Sequence, residues 1–375
     1  MKGNIAMVVG GAGGVGASLT LELLKSGYKK VYVVDRNEPN YNTTNVEFIK
    51  FNLVSDNIDT LKQYNNIDTL IITAGIGRLD YFNTNSKIEI ETSFKVNAIA
   101  VTEILNAFYD KISGNENFYC AVMSSIAGMV SSPLYALYSA TKAAVSRLIE
   151  SINAELEGED KPNRILSVAP GKIEGTAFHG GENRYDLVAP LAAQILENMY
   201  QKNTLFIPNS EVYSNVIKRY NEDAEKFGLE SYNYKKQNPL ETKKKIKVGY
   251  LTGSFDLFHI GHLNLLRRAK QYCDYLVVGI HPDGSHKGKD LFIPLEERLE
   301  IVGACKYVDK VMPCTSEDID AYEEIKFDYL FVGSDYKGTE RFNRYERELG
   351  PKGVKIIYFP YTQGTSSTQL RDKLK

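Results

Sequence analysis

Residues 5–24 read IAMVVGGAGGVGASLTLELL, and this stretch decides the fold of the first half of the chain. A β-branched apolar run ends directly in a glycine-rich turn, which leads into a segment with helical periodicity. Glycines there permit a tight turn and a close backbone approach to a pyrophosphate at a helix N-terminus. The spacing fits GxxxGxG with Gly10, Gly14 and Gly16, and it fits GxxGxxG through Gly13 equally well. The stretch therefore predicts a strand, a dinucleotide-binding loop and a helix.

The same alternation of short apolar strands and helical segments continues to about Val168, and it restarts near Lys247. The predicted strands are IAMVV, VYVVD, DTLIIT, FYCAVM and RILSVA in the first half and KVGYL, YLVVGI, DKVM, DYLFVG and KIIYF in the second. Residues 231–247 lose the periodicity and contain a lysine cluster and a proline, which favours a solvated linker over an anion-binding patch. We therefore predict an α/β protein with two Rossmann-like domains, each a parallel sheet flanked by helices. The predicted domains are residues 1–232 and 246–375, and the predicted linker is 233–245.

Composition bounds the class of protein. The chain has 375 residues, of which 43% are hydrophobic and 25% charged, and this excludes disorder and coiled coil as the main architecture. A formal charge of −2 gives no overall attraction to nucleic acid, and no apolar run reaches the ~18 residues of a membrane span. The glycines in the N-terminal apolar run favour a nucleotide loop over a signal peptide. Four cysteines without CxxC or metal-ligand spacing predict reduced thiols in the cytoplasm and no metal site.

Asp35 ends the second predicted strand, roughly 20 residues after the glycine loop. A carboxylate at that position accepts hydrogen bonds from the adenosine ribose and repels a 2′-phosphate. The sequence therefore favours NAD as cofactor, while the neighbouring Arg36 leaves NADP open.

Residues 123–145, MSSIAGMVSSPLYALYSATKAAV, carry a second signal. Tyr138 and Lys142 are four residues apart on a predicted helix, hence on one face. We expect the ammonium to lower the pKa of the phenol toward a useful acid–base range. Ser125 follows a strand and is placed to hydrogen-bond a reacting carbonyl or alcohol.

With these motifs, residues 3–225 resemble the short-chain dehydrogenase/reductases. The elements in the family's order are the glycine loop, Thr73-Ala74-Gly75, Asn97, Ser125, the YxxxK pair, and Pro170-Gly171. The resemblance implies that Tyr138 donates a proton to a ketone, Ser125 orients the carbonyl, Lys142 holds the nicotinamide ribose, and Asn97 organises a water of the proton relay. The implied cofactor contacts are Gly10, Gly14, Gly16, Asp35, Ala74, Gly75, Asn97, Lys142, Pro170 and Gly171.

The first half also departs from the family pattern. Thr73 stands where the family often has Asn, Asn52 where an Asp commonly meets adenine, and Gly175 where a Thr is usual, with Thr176 following. Residues 172–184 are expected to form a substrate lid. Its cationic candidates for an anionic substrate are Lys172, His179 and Arg184, and solvated surface charge is an equal alternative for them.

Residues 253–270, GSFDLFHIGHLNLLRRAK, follow a strand and lead into a helix. His259 and His262 are three apart at the predicted helix start, with Gly261 between them. A metal site lacks a third ligand at suitable spacing. Imidazoles and backbone amides at a helix N-terminus fit a phosphate better, because they stabilise charge on a transferring nucleotidyl group.

Residues 246–374 resemble the cytidylyltransferases of the glycerol-3-phosphate, choline-phosphate and ethanolamine-phosphate type, in the HxGH nucleotidyltransferase family. Besides HxGH, the shared motifs are HKGK with Lys287, LEERLEIVGACKYVDKVMP with Arg298, FVGSDYKG with Asp335, and GTSSTQLR. The resemblance implies in-line attack by a substrate phosphate on the α-phosphate of CTP, with Mg²⁺ chelated by the triphosphate. The implied catalytic residues are His259, His262 and Lys287. The implied nucleotide contacts are Gly253, Ser254, Phe255, Asp256, His259, His262, Lys287, Arg298, Asp335, Thr365, Ser366, Ser367 and Thr368. Tyr361 replaces the arginine of the family's RTxGxST motif.

Together the halves predict a bifunctional enzyme of polysaccharide-precursor synthesis. The first half would reduce a keto or aldehydo sugar phosphate with NAD(P)H, and the second would attach CMP to the polyol phosphate. The product would be a CDP-polyol of the CDP-glycerol or CDP-ribitol type. The main alternative is a cytidylyltransferase whose first half only senses nucleotide or oligomerises; an epimerase in the first half fits the Ser–Tyr spacing less well. By analogy with both families we expect a homo-oligomer that acts on small molecules, with neither nucleic acid nor membrane as partner.

Overall fold

The computed structural model describes residues 4–41, 44–179, 182–238, 246–283, 291–315 and 317–360, with His179 described by its backbone alone. Two compact units divide the chain, and the boundary between them along the sequence falls after residue 244. Within the described residues, no helix is long and apolar enough to cross a membrane.

The first unit is built on a parallel sheet of seven strands in the order β3-β2-β1-β4-β5-β6-β7. The strands are β1 Ile5–Val9, β2 Lys30–Asp35, β3 Val46–Lys50, β4 Thr69–Ile72, β5 Tyr119–Met123, β6 Ile165–Val168 and β7 Leu205–Phe206. The helices are α1 Gly14–Lys25, α2 Lys87–Phe94, α3 Ala100–Ala107, α4 Tyr109–Ile112, α5 Ala136–Gly158, α6 Tyr185–Tyr200, α7 Ser210–Glu222 and α8 Ala224–Gln237. The order of the strands reverses between β1 and β4, and ligands of open α/β sheets bind at such a switch point.

Alternation along each strand explains why both faces of this sheet are covered. On β1, Met7 and Val9 pack in the core on one face, and Ala6 and Val8 pack in the core on the other. Successive side chains of a strand point to opposite faces, so a strand that is apolar at every position needs helices on both sides. This is the physical reason that IAMVV and VYVVD predicted a buried parallel sheet.

The second unit repeats the plan with five parallel strands in the order β10-β9-β8-β11-β12. The strands are β8 Val248–Gly253, β9 Tyr275–Ile280, β10 Lys310–Pro313, β11 Tyr329–Gly333 and β12 Lys355–Phe359. The helices are α9 Ile260–Lys270, α10 Leu295–Gly303, α11 Asp318–Ile325 and α12 Glu340–Leu349. Its switch point lies between β8 and β11, so the loop after β8 opens at the position where ligands of such folds bind.

Two features differ from the sequence-based prediction. Strands β3 and β7 were not expected; β3 is an edge strand with partly exposed positions, and β7 has only two residues, so neither shows a buried apolar run. The linker was expected to begin at residue 233, yet α8 continues to Gln237. The Lys235 side chain of that helix hydrogen-bonds to Ser132 and Pro133 of the first unit. Residues 239–245 of the expected linker lie outside the described residues.

Candidate active sites

The glycine loop of the first unit has the backbone that its predicted role needs. Gly10 has φ +86° and Gly14 has φ +52°, and both values favour glycine. A Cβ on Gly16 would overlap the carbonyl oxygen of Gly10, so the helix start and the turn pack directly against each other. Gly13 is extended, at φ −153°, a conformation open to any residue. Backbone conformation or close packing therefore requires glycine at Gly10, Gly14 and Gly16, which is the GxxxGxG spacing.

Asp35 lies beside this loop. Its carboxylate accepts hydrogen bonds from the backbone N–H of Ala12 at 3.1 Å and of Asn37 at 3.0 Å. Thr73, where the family often has Asn, donates its hydroxyl to the carbonyl oxygens of Val9 and Gly10, each at 3.1 Å. The threonine thus fastens the end of β4, which leads into Ala74 and Gly75, to the glycine turn.

The glycine loop, the α1 N-terminus and the Asp35 carboxylate are together a fit for a dinucleotide. Helix α1 begins without a side-chain cap from its N-cap residue, and the first N–H groups of a helix favour an anion. A Cβ at Gly10 would overlap the backbone of Ala74, so the segment after β4 can pack directly against the turn only because glycine stands there.

Asn97 is fully buried in a single π-helical turn, Lys95–Ile99, between α2 and α3. Its side-chain oxygen accepts from the N–H of Ile76 at 2.8 Å, and its amide donates to the carbonyl of Ile76 at 2.7 Å and to the Thr141 hydroxyl at 3.1 Å. Such turns are frequent at functional sites. Asn97 therefore ties the segment after Gly75 to helix α5, one residue before Lys142.

Ser125, Tyr138 and Lys142 come together at the carboxyl end of β5. Ser125 follows the strand and donates its hydroxyl to the carbonyl of Pro170 at 3.3 Å, while Lys142 donates to the carbonyl of Met123 at 2.7 Å. The Lys142 ammonium lies 5.8 Å from the centre of the Tyr138 ring. The three predicted catalytic side chains are therefore neighbours in the fold.

The expected effect of Lys142 on Tyr138 needs correction. Burial raises the pKa of Tyr138 to about 12, and a hydrogen bond with Ser125 only partly offsets that rise. Burial also lowers the pKa of Lys142 to about 8. Spacing alone suggested a phenol made more acidic by its neighbour, but desolvation penalises both charged forms and dominates here.

Several residues of this site gave no signal in the sequence. The ring of Tyr135 packs on that of Tyr138 with centroids 4.7 Å apart, and the Phe178 ring lies 5.6 Å from the Tyr138 ring. Tyr213 of α7 approaches so closely that a Cβ on Gly171 would overlap its hydroxyl. Tyr213 is far from the motifs along the chain, so only the fold could identify it.

The predicted lid residues behave differently from one another. Arg184 is exposed and forms a two-point ion pair with Asp186, with its Nη2 2.9 Å from Oδ2. Lys172 is exposed, and the His179 side chain lies outside the described residues. Asn183, which sequence reasoning did not single out, accepts the N–H groups of Gly14 and Ala177, each at 3.1 Å. This segment thus reaches the first N–H of α1.

In the second unit, His259 is the N-cap of α9 and His262 is in its first turn. Nδ1 of His259 accepts from the Gly261 N–H at 3.0 Å, and Nδ1 of His262 accepts from the His259 N–H at 3.4 Å. The rings stack with centroids 4.0 Å apart, and burial lowers the pKa of His259. A neutral imidazole that accepts at Nδ1 carries its proton at Nε2. Both histidines are therefore set to present N–H donors.

Two other motif residues of this unit hold the backbone. Arg298 is buried and donates to the carbonyl oxygens of Ile293, Ser254, His281 and Pro282 at 2.7–3.0 Å. Asp256 is buried too and accepts the N–H groups of Phe292 and Ile293. The resemblance implies that Arg298 and Asp256 contact or shape the nucleotide site; in the structure both side chains bond backbone groups of the segments around this loop.

The remaining predicted residues divide in two groups. Gly253 is the last residue of β8, and Ser254 and Phe255 follow it in the loop that leads to α9, with Phe255 at φ +52°. Asp335 is exposed just after β11, the neighbour of β8. Lys287, Tyr361, Thr365, Ser366, Ser367 and Thr368 lie outside the described residues. The described residues contain no group of three or more His, Cys, Asp or Glu side chains placed to hold a metal ion.

A polar network near this loop was not predicted. The Thr252 hydroxyl donates to Asp318 at 2.8 Å, and Arg341 donates to Asp318 at 3.3 Å and to the Tyr345 hydroxyl at 2.9 Å. These residues come from β8, α11 and α12, so no local motif could show them.

Comparison with known proteins identifies both units. Residues 4–185 match the family model described as short chain dehydrogenase, and residues 250–373 match the one described as cytidylyltransferase-like. The glycerol-3-phosphate cytidylyltransferase of Bacillus subtilis (strain 168) is 34% identical over 126 residues, which are 92% of that enzyme and 32% of this chain. The ethanolamine-phosphate cytidylyltransferase of Arabidopsis thaliana is 33% identical over 144 residues, 32% of that protein and 35% of this chain.

A solved structure agrees with the fold of the first unit. A short chain dehydrogenase from Burkholderia cenocepacia J2315, in complex with NADP, superposes with a TM-score of 0.52 at 22% identity and covers 61% of this chain and 97% of its own. The class of protein follows: an α/β enzyme with an oxidoreductase unit and a nucleotidyltransferase unit. Through its second unit the chain belongs to the cytidylyltransferase family, and its first unit is a short-chain dehydrogenase/reductase domain. Both resemblances, the two-sheet fold and the prediction of an enzyme are confirmed.

Proposed function

We propose that this enzyme makes a CDP-polyol in two steps on one chain. The first unit reduces a keto or aldehydo sugar phosphate to a polyol phosphate with NAD(P)H, and the second couples the polyol phosphate to CTP with release of pyrophosphate. The observation that carries the proposal is that one polypeptide contains both the cluster of Ser125, Tyr138 and Lys142 and a helix that begins with two stacked histidines. The product class of the first site is the substrate class of the second.

In the reductase site, Tyr138 is the proton donor. Because burial raises the pKa of its phenol to about 12, the group stays protonated at neutral pH and can transfer a proton to a carbonyl oxygen that becomes an alkoxide. Ser125, in hydrogen-bond contact with Tyr138, orients that oxygen. Lys142 holds the nicotinamide ribose, and Asn97 organises a water of the proton relay. When bound, the dinucleotide supplies the hydride for the carbonyl carbon.

Gly10, Gly14 and Gly16 would hold the pyrophosphate of the cofactor, and Ala74, Gly75, Pro170 and Gly171 would line the nicotinamide end. Asp35 favours NAD, since a carboxylate accepts from ribose hydroxyls and repels a 2′-phosphate. NADP stays a second candidate because Arg36 is adjacent.

In the transferase site, a phosphate oxygen of the polyol phosphate attacks the α-phosphate of CTP, and the bond to pyrophosphate breaks. The Nε2–H groups of His259 and His262 would donate to phosphate oxygens as charge develops on them, without a covalent intermediate. We propose that Lys287, Asp335 and the segment Thr365–Thr368 complete this site and that Mg²⁺ enters with the triphosphate.

The wider setting is part of the same proposal. CDP-glycerol or CDP-ribitol would feed polysaccharide assembly, and the cysteines, all free thiols, support a cytoplasmic enzyme of small-molecule substrates. Both family resemblances support a homo-oligomer.

The test is a reconstituted reaction with the full chain, NADH or NADPH, CTP, Mg²⁺, and a panel of ketose and aldose phosphates. We expect oxidation of the dinucleotide with at least one sugar phosphate and a CDP-polyol of matching mass by mass spectrometry. Without CTP, the polyol phosphate should accumulate; with supplied polyol phosphate, CDP-polyol should form without dinucleotide. CDP-polyol formation with no reduction of any sugar phosphate would contradict the reductase half and favour the transferase-only alternative.

A further inference from the structure

Helix α8 carries a lysine with an unusual environment for a charged group. The partly buried Lys235 ammonium donates to the Ser132 hydroxyl at 2.6 Å and to the carbonyl of Pro133 at 3.0 Å. Burial lowers its pKa to about 8, with no acidic partner to offset the effect. Among the described residues, no Asp or Glu forms an ion pair with it. A buried cation without a counter-charge is costly unless an anion completes its environment.

The loop that Lys235 contacts is a wall of the reductase site. It runs between Ser125 and Tyr138, and the N–H of Tyr135 donates to the carbonyl of Ser132 at 3.0 Å. The Tyr135 ring then packs on the ring of Tyr138. Lys235 thus reaches the segment that shapes the space beside the proton donor, although it lies almost a hundred residues further along the chain.

Two arginines in this part of the unit are already paired with carboxylates. Arg184 is paired with Asp186, and Arg78 is paired with Asp80 and Glu89. An ammonium has three N–H donors, and the two described acceptors of Lys235 leave one donor without a protein acceptor among the described residues.

We propose that Lys235 binds the phosphate group of the sugar phosphate that the first unit reduces. The inference rests on the proposed reductase function and gives it a specificity-determining residue that no motif contains. A phosphate oxygen would take the third donor and supply the missing counter-charge. The Ser132 and Pro133 acceptors would hold the ammonium at a fixed distance from the tyrosine, so that the phosphate sets the position of the carbonyl.

The test compares Lys235→Gln with Lys236→Gln in the full chain. Lys236 is the adjacent residue on α8, is exposed, and has its ammonium 5.8 Å from the Tyr232 ring, which makes it a matched control. Each variant is assayed with dihydroxyacetone phosphate and ribulose 5-phosphate and with the two unphosphorylated sugars. We expect Lys235→Gln to raise KM for the accepted phosphate ester by ~10-fold or more, the scale of a charge-assisted hydrogen bond. The activity toward the free sugar should stay within about twofold, and Lys236→Gln should change neither value.

Lys235→Arg keeps the charge and should restore most of the preference for the phosphate ester. A loss of the same size for phosphorylated and free sugars would overturn the proposal, because a lysine that only supports the loop affects both. If Lys235→Gln fails to fold, inhibition of the wild type is the deciding measurement. Inorganic phosphate should inhibit reduction of the sugar phosphate competitively, and it should not inhibit reduction of the free sugar. Failure of the wild type to reduce any sugar phosphate is a separate result, which refutes the reductase function itself.

Discussion

The two active sites differ in what their motif residues do. In the first unit, Tyr138 and Lys142 are one turn apart on the 23-residue helix α5, and these motif side chains lie together at the carboxyl end of β5. In the second unit, Asp256 and Arg298 belong to the motif pattern but bond backbone groups of the loop. Some motif side chains therefore cluster with one another, whereas others bond backbone groups, and their hydrogen-bond partners distinguish the two kinds.

The largest expected effect tests whether reduction and nucleotidyl transfer are independent activities of the two units. Tyr138→Phe should lower the reduction of sugar phosphate by ~10²–10⁴-fold, since a phenylalanine has no proton to donate. The variant should form CDP-polyol from supplied polyol phosphate at the wild-type rate. His262→Ala is the reciprocal control and should lose transfer while it keeps reduction. Steady-state assays of both half-reactions on each variant would measure this, and unchanged reduction by Tyr138→Phe would contradict the assigned proton donor.

The next largest effect is expected from substitution of Arg298. It tests whether this side chain stabilises a loop or binds the nucleotide. Arg298→Met leaves four partly buried carbonyl oxygens without their donor, which we expect to destabilise the second unit by about 3 kcal/mol. Calorimetry should show a lower unfolding temperature for that unit, while the reductase activity of the first unit persists.

A variant with unchanged unfolding and lost CTP binding would instead make Arg298 a direct nucleotide contact. Arg298→Lys is the matched variant. It keeps the charge but cannot reach all four carbonyls, so its stability should lie between those of the wild type and Arg298→Met.

Much of this fold could be predicted because its sheets are buried on both faces. Every strand of five or more apolar positions, such as β1 and β9, was visible as a continuous run, whereas the short edge strand β7 was not. Helical spacing could place Tyr138 beside Lys142, because an i,i+4 relation depends on local geometry alone.

The rest of the site could not be predicted because it depends on tertiary contacts. Asn183 and Lys235 contact Gly14 and Ser132 from segments distant in sequence, and although both lie in stretches that the sequence singled out, nothing there identified these two side chains. The pKa of Tyr138 depends on burial, which spacing does not give, so the sequence predicted the wrong direction for it.

A smaller effect is expected in the pH dependence of the reductase activity of the first unit. Lys142 has its pKa lowered to about 8 by burial, so its ammonium loses its proton as pH rises through that value. Under the proposal that the charged form holds the ribose, kcat/KM for NADH, which reports groups of the free enzyme, should fall about tenfold per pH unit above pH 8. Tyr138, with a pKa of about 12, stays protonated over this range and adds no second fall.

Initial rates between pH 6 and 10 measure this profile. Lys142→Arg keeps its charge in this range and should remove the fall, at a lower absolute rate. A wild-type profile that is flat to pH 10 would contradict a requirement for the charged lysine.

The smallest effect concerns Asn183, whose side-chain oxygen accepts the N–H of Gly14 at 3.1 Å. That N–H is the first of α1, and a bound pyrophosphate would need the same donor. Asn183→Ala should therefore strengthen NADH binding by about fivefold, the equivalent of one hydrogen bond of about 1 kcal/mol. Asn198→Ala is the control, since this amide on α6 donates to the carbonyl of Gln194 on the same helix and accepts from the Asn203 side chain. Fluorescence titration with NADH measures both. Weaker binding by Asn183→Ala would mean that the asparagine helps to hold the dinucleotide. It would contradict the expectation that Asn183 and the cofactor compete for the N–H of Gly14.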